Sequence, residues 1–127
     1  MLAGKEYDTL HLVDYKIYSY GQKYEDDQFM EVIGRMQEAD TVVLGSLLYW
    51  HSMSGAVRNL SDRSYGVVSE GTLQGKKLFF VFQGASPTKE QLAAGDYTVG
   101  RYAKLYGFDY QGMAVGKKEA QKLSGQL

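Results

Sequence analysis

Apolar and polar residues alternate along this chain in two different periods, and the two kinds of stretch take turns. Leu10 and Leu12 share one face of a strand predicted over Tyr7–Leu12, with polar residues between them. Phe29, Val32, Ile33 and Met36 then fall at i, i+3, i+4 and i+7, the stripe of an amphipathic helix over Asp27–Ala39. Asp26 or Asp27 is its expected N-cap. Thr41–Leu44 is apolar after its first residue and reads as a buried parallel strand. Lys77–Phe82, with its Leu-Phe-Phe-Val-Phe run, is the strongest strand signal and reads as buried on both faces. Phe108–Val115 is the last predicted strand, and Lys117–Leu123 a short closing helix.

Between these lie the connections. Gly45–Ser52 reads as a loop leaving the end of the Thr41–Leu44 strand, and Ser54 as the start of a helix to about Leu60. Asp62–Gln74 is polar and contains glycine, so a surface loop is expected. After the Gln83–Pro87 loop a helix is predicted to about Tyr106, with a break at Gly95 and Gly107 as its C-terminal cap. Leu2-Ala3-Gly4 has the look of a helix end closed by glycine. Alternating strands and helices without internal repeats argue for one α/β domain over residues 1–127, built on a mainly parallel sheet of four strands.

Composition narrows the function classes. With 127 residues, 44% apolar, the chain suits one compact domain. Net charge is -1 with signs mixed, so neither a nucleic acid nor an anionic membrane surface is an expected partner. Runs such as Leu78–Phe82 are too short to cross a bilayer, and Lys5, Glu6 and Asp8 interrupt any signal-peptide start. The absence of cysteine excludes disulfides and a thiol nucleophile and suits a cytoplasmic location. His11 and His51 have no metal-ligand spacing around them, so no metal site is expected.

One stretch carries a more specific signal. Gly45-Ser46-Leu47-Leu48-Tyr49-Trp50-His51-Ser52-Met53-Ser54-Gly55, then Arg58 and Asp62-Arg63, follows the Thr41–Leu44 strand. It resembles the Gly-x-Pro-x-Tyr-Trp-x-Ser-x-Ser-Gly stretch, with its later basic residue and Asp-Arg pair, of the NAD(P)H-dependent FMN reductases. The resemblance continues weakly through Lys77–Gly84 and Tyr106–Gly112. It implies a flavodoxin-like, three-layer α/β/α fold with FMN across the C-terminal ends of the strands. It also implies a cofactor site in which Ser46, Leu47, Leu48, Tyr49 and Trp50 border the flavin ring, and Gln83 and Gly84 form a second wall. NADH or NADPH would be the reductant and a small molecule the electron acceptor. No side-chain acid or base is then required, because the flavin carries the redox chemistry.

Three departures accompany the resemblance. Leu47 stands where the family usually has proline, and Ser61 interrupts a usually apolar stretch. The family's first strand, phosphate-binding loop and first helix have no counterpart before Tyr7. Four strands are therefore expected, with Tyr7–Leu12 paired directly beside Thr41–Leu44, and self-association to cover the thinned face. The competing readings are a shortened flavodoxin-like module, or the product of a misplaced gene start, that binds no flavin, and a small anion- or nucleotide-binding protein using the remaining loops. Considered singly, His51 reads as a solvated loop residue, Arg58 as a surface residue, and Asp62 and Arg63 as structural. The Tyr15–Tyr24 tyrosines read as a packed cover.

Overall fold

A computed structural model describes residues 1–127. Four strands form one sheet in the order β2-β1-β3-β4. They are β1 (Thr41–Tyr49), β2 (Ser52–Met53), β3 (Lys77–Gln83) and β4 (Asp109–Ala114). β1, β3 and β4 run parallel, with Val42 beside Leu78 and Leu78 beside Tyr110; β2 folds back antiparallel on the end of β1. The helices are α1 (Phe29–Glu38), α2 (Gly55–Ser64), α3 (Lys89–Tyr106) and α4 (Lys117–Ser124). The flavodoxin-like three-layer arrangement expected from the sequence is present.

Strand alternation divides the core. Leu78, Phe80 and Phe82 face Phe29, Val32 and Ile33 of α1, Val57 and Leu60 of α2, and Val99 and Ala103 of α3. Phe79 points to the other face, where it is fully buried. Its register partner Gly112 lies there against Leu123 of α4. Three helices thus cover one face and a single short helix covers the other, leaving Leu47 of β1 exposed.

Several expectations are corrected. Tyr7–Leu12 is not a strand. Glu6–Leu10 make no backbone–backbone hydrogen bonds, and Leu12–Asp14 is a single 3-10 turn. Leu10 and Leu12 still pack on the core, so the alternation reports burial of one face and not sheet pairing. The fourth strand is β2 instead, and beyond it the outer edge of β1 is unpaired from Thr41 to Leu47. Leu2–Lys5 forms a turn, Lys5 N–H to Leu2 O at 3.0 Å, rather than a helix end.

β1 also runs five residues further than predicted. The expected Gly45–Ser52 loop is mostly strand, because Gly45, Ser46 and Leu47 continue the ladder with Val81, Phe82 and Gln83. α2 extends through Ser64, taking Asp62 and Arg63 out of the predicted loop. The buried Ser64 hydroxyl donates to Leu60 O (2.9 Å) and meets the Tyr102 hydroxyl (2.8 Å). α3 does not break at Gly95, where a Cβ would come within 2.4 Å of Phe82 Cε2, so the missing side chain serves close packing. Gly107 closes α3 in left-handed backbone (φ 93°), as expected.

Candidate functional site

The predicted site residues gather at the C-terminal ends of β1 and β3. Leu47 and Gln83 are neighbours across the two strands. Gly84, just past β3, approaches Leu48 so closely that a Cβ would lie 3.1 Å from Leu48 Cβ. Ser46 faces inward and organises the return of the chain: its hydroxyl accepts from Ser54 N–H (2.9 Å) and donates to Leu47 O (2.9 Å). Ser54 in turn caps α2, accepting from Val57 N–H (3.5 Å). Leu48 packs on the core, whereas Tyr49 is exposed.

Trp50 and His51 form the two-residue turn of the β1–β2 hairpin. Both adopt left-handed backbone, φ 46° and φ 68°. That geometry matches the twist of a two-residue hairpin, although Asn-Gly pairs normally supply it. Trp50 is 93% exposed, with its indole on the outside of the turn. The turn and the loop after β3 share one property. The N–H groups of Trp50, His51, Gly84, Ala85 and Ser86 have no hydrogen-bond partner in the protein, so five donors are open at this end of the sheet.

Two features escaped the sequence reading. Thr88 and Gln91 form a capping box at the start of α3, with Gln91 N–H donating to Thr88 Oγ1 (3.2 Å) and Thr88 N–H to Gln91 Oε1 (2.9 Å). The Thr-x-x-Gln spacing is a legible signal for it. The other amide end of Gln91 meets His51 Nδ1, which joins the hairpin tip to α3. His51 is therefore not merely a solvated loop residue. Arg58 donates weakly to Ser52 Oγ (3.4 Å).

Below the site, Arg63 ties α2 to the tyrosine-rich link. It donates to Tyr18 O (2.8 Å) and to Asp27 Oδ2 (2.5 Å) and Oδ1 (3.1 Å), and its guanidinium lies 4.9 Å from the centre of the Phe29 ring. Hydrogen bonding to Arg63 holds the Asp27 carboxyl below the usual carboxylate range, against the opposing effect of burial. Asn59 adds bonds to Ile17 O (2.6 Å) and Tyr18 O (3.3 Å). The link is a packed cover only in part: Tyr15 and Ile17 pack on the core, whereas Tyr20 and Tyr24 are exposed, the Tyr24 ring 4.4 Å from that of Tyr18. Burial pushes the Tyr102 hydroxyl up to about 12.

A concavity of about 1120 Å3 lies elsewhere. It follows the open edge of β1 under α1, between Val42, Leu44, Val32 and Met36. It reaches Ser46, Leu47 and Tyr49 but not Trp50, Gln83 or Gly84, so the candidate residues border its upper end only. The open amides and the exposed Trp50 ring lie at the hairpin end and not in this groove. No group of three or more His, Cys, Asp or Glu is placed to hold a metal ion. No helix is long and apolar enough to cross a membrane.

Comparison with known proteins decides the family. A model of the NADPH-dependent FMN reductase family matches residues 1–98. The chain belongs to that family. An iron-sulfur flavoprotein of Archaeoglobus fulgidus is 36% identical over a 69-residue alignment covering 48% of this chain. The alignment spans about a third (34%) of that relative's length. Among solved structures, the Trp repressor binding protein of Bacillus subtilis superposes with a TM-score of 0.69 at 15% identity, covering 98% of this FMN reductase-family chain and 84% of its own. FerB of Paracoccus denitrificans, a flavoenzyme NAD(P)H:(acceptor) oxidoreductase, gives 0.61 at 18% identity, covering 98% and 78%. At these identities the two structures establish the shared fold.

Proposed function

We propose that the hairpin end of β1 and the loop after β3 form the ring side of an FMN site, serving NAD(P)H-dependent reduction of a small acceptor. The observation that carries this reading is the meeting of exposed Tyr49 and Trp50 with five unpartnered backbone donors on adjacent strand ends. A flavin is a flat π-system with a polar rim, and it is bound by aromatic faces together with a few main-chain groups. Ser46 to Trp50 would border the ring, and Gln83 and Gly84 would supply the opposite wall. Gly84 suits that place, since its lack of a side chain already lets the chain approach Leu48 closely. When bound, FMN would supply the redox chemistry, as a two-electron carrier between NADH or NADPH and the acceptor. The chain's own part is to hold and orient the ring. The resemblance extends to a cytoplasmic, self-associating protein, and the thin cover over Leu47 supports association through that face.

A second reading has one observation in its favour. The edge of β1 is open from Thr41 to Leu47, and the described residues place no Ser/Thr/Gly-rich loop beside it to take a phosphate. On that reading the chain is a flavodoxin-like module that holds no FMN. Absorption spectra of the purified protein, with and without added FMN, separate the two. Flavin bands that persist through gel filtration, with NAD(P)H oxidation in the presence of a quinone, support the enzyme. A colourless protein that leaves the fluorescence of added FMN unquenched supports the module.

A further inference from the structure

The hairpin tip holds two bulky residues in left-handed backbone, a conformation that costs strain and persists only where neighbours enforce it. One such neighbour is identifiable. In the capping box of α3, Gln91 Oε1 accepts from Thr88 N–H (2.9 Å), which fixes the orientation of the amide. The Nε2 end, a donor only, is therefore the atom that meets His51 Nδ1. His51 must present a bare Nδ1 and carry its single proton on Nε2.

We propose that Gln91 clasps the strained hairpin tip to the start of α3 through neutral His51, and releases it when His51 takes a second proton. An imidazolium has hydrogens on both nitrogens, so its Nδ1–H would face the NH2 of Gln91 with no acceptor between them. Lys89 and Glu90 flank this helix start, and Arg58 of α2 reaches Ser52 in the hairpin, but none of them bonds to His51. Gln91 is thus a positioning residue: it sets the distance between the loop after β1 and the loop after β3. The clasp does not depend on FMN being bound.

Trp50 is the only tryptophan, so its fluorescence anisotropy and its quenching by acrylamide report the hairpin tip alone. Anisotropy is the better reading, because a charged imidazole beside the indole alters intensity by itself. Between pH about 8 and about 5, where histidine changes charge, wild type is expected to lose anisotropy and gain acrylamide quenching. Gln91→Ala is expected to show the loosened values at every pH. Gln91→Glu keeps the capping box and turns an acceptor toward Nδ1–H, so the clasped anisotropy should persist to the acid end. A flat wild-type profile, or a Gln91→Glu variant that loosens in acid as wild type does, overturns the proposal. Should Gln91→Ala not fold, wild type and Gln91→Glu still decide.

Discussion

The ring of Phe82 occupies the space that a Cβ on Gly95 would fill, 2.4 Å from its Cε2 atom. Phe82 cannot step aside easily, since it is fully buried and stacked on Phe80 with ring centres 5.0 Å apart. Replacing Gly95 by alanine gains about 1 kcal/mol of helix propensity. It forces an overpacked core at a cost of about 1–3 kcal/mol. Gly95→Ala is expected to be net destabilising by up to about 2 kcal/mol in urea unfolding. A stabilised variant would mean that α3 stands off the sheet.

The Arg63–Asp27 pair is the main tie between α2 and the link preceding α1, and both side chains are only 14% exposed. Arg63→Met should cost about 2–3 kcal/mol at pH 7, since it strands a half-enclosed carboxylate. The pH dependence has a definite sign. Asp27 has a lowered pKa in the folded state, so its contribution is present above the unfolded value, about 3.9, and is lost as pH falls through the folded value. The stability gap between wild type and Arg63→Met is therefore expected to be widest at neutral pH and to close toward pH about 2. A gap independent of pH would show that the pair contributes through packing alone.

Trp50 separates stability from binding. Asparagine tolerates left-handed backbone better than tryptophan does. Trp50→Asn is therefore expected to raise stability by about 0.5–1 kcal/mol while removing an aromatic face from the proposed ring site. Thermal unfolding and FMN titration of the same variant should move in opposite directions. A variant less stable than wild type would place the indole in a packing role.

These residues also show what the sequence made legible. The Leu-Phe-Phe-Val-Phe run of β3 and the cap at Gly107 were plain, because burial on both faces and a left-handed helix end each demand particular residue types. The candidate site is read from the stretch after Thr41–Leu44 and its family resemblance, and the strand ends bring those residues together. The hairpin was hidden, since Trp50-His51 is not a pair that two-residue turns favour. Gly95 was misjudged from propensity, which cannot anticipate a ring packed against it from another element. Tyr7–Leu12 has strand-like alternation, but pairing needs an edge, and that edge is left open. Arg63 looked like loop because its partner Asp27 lies 36 positions earlier.

Riboflavin and FMN share the isoalloxazine ring and differ by the phosphate, so paired titrations followed by Trp50 emission probe the proposed ring site most directly. Both ligands are expected to quench Trp50 with affinities within about tenfold of each other, a gap of roughly 1.4 kcal/mol, and Tyr49→Ala should weaken both alike. Saturating flavin that leaves Trp50 emission unchanged, or binding indifferent to Tyr49→Ala, would contradict a ring seated between the hairpin and Gly84.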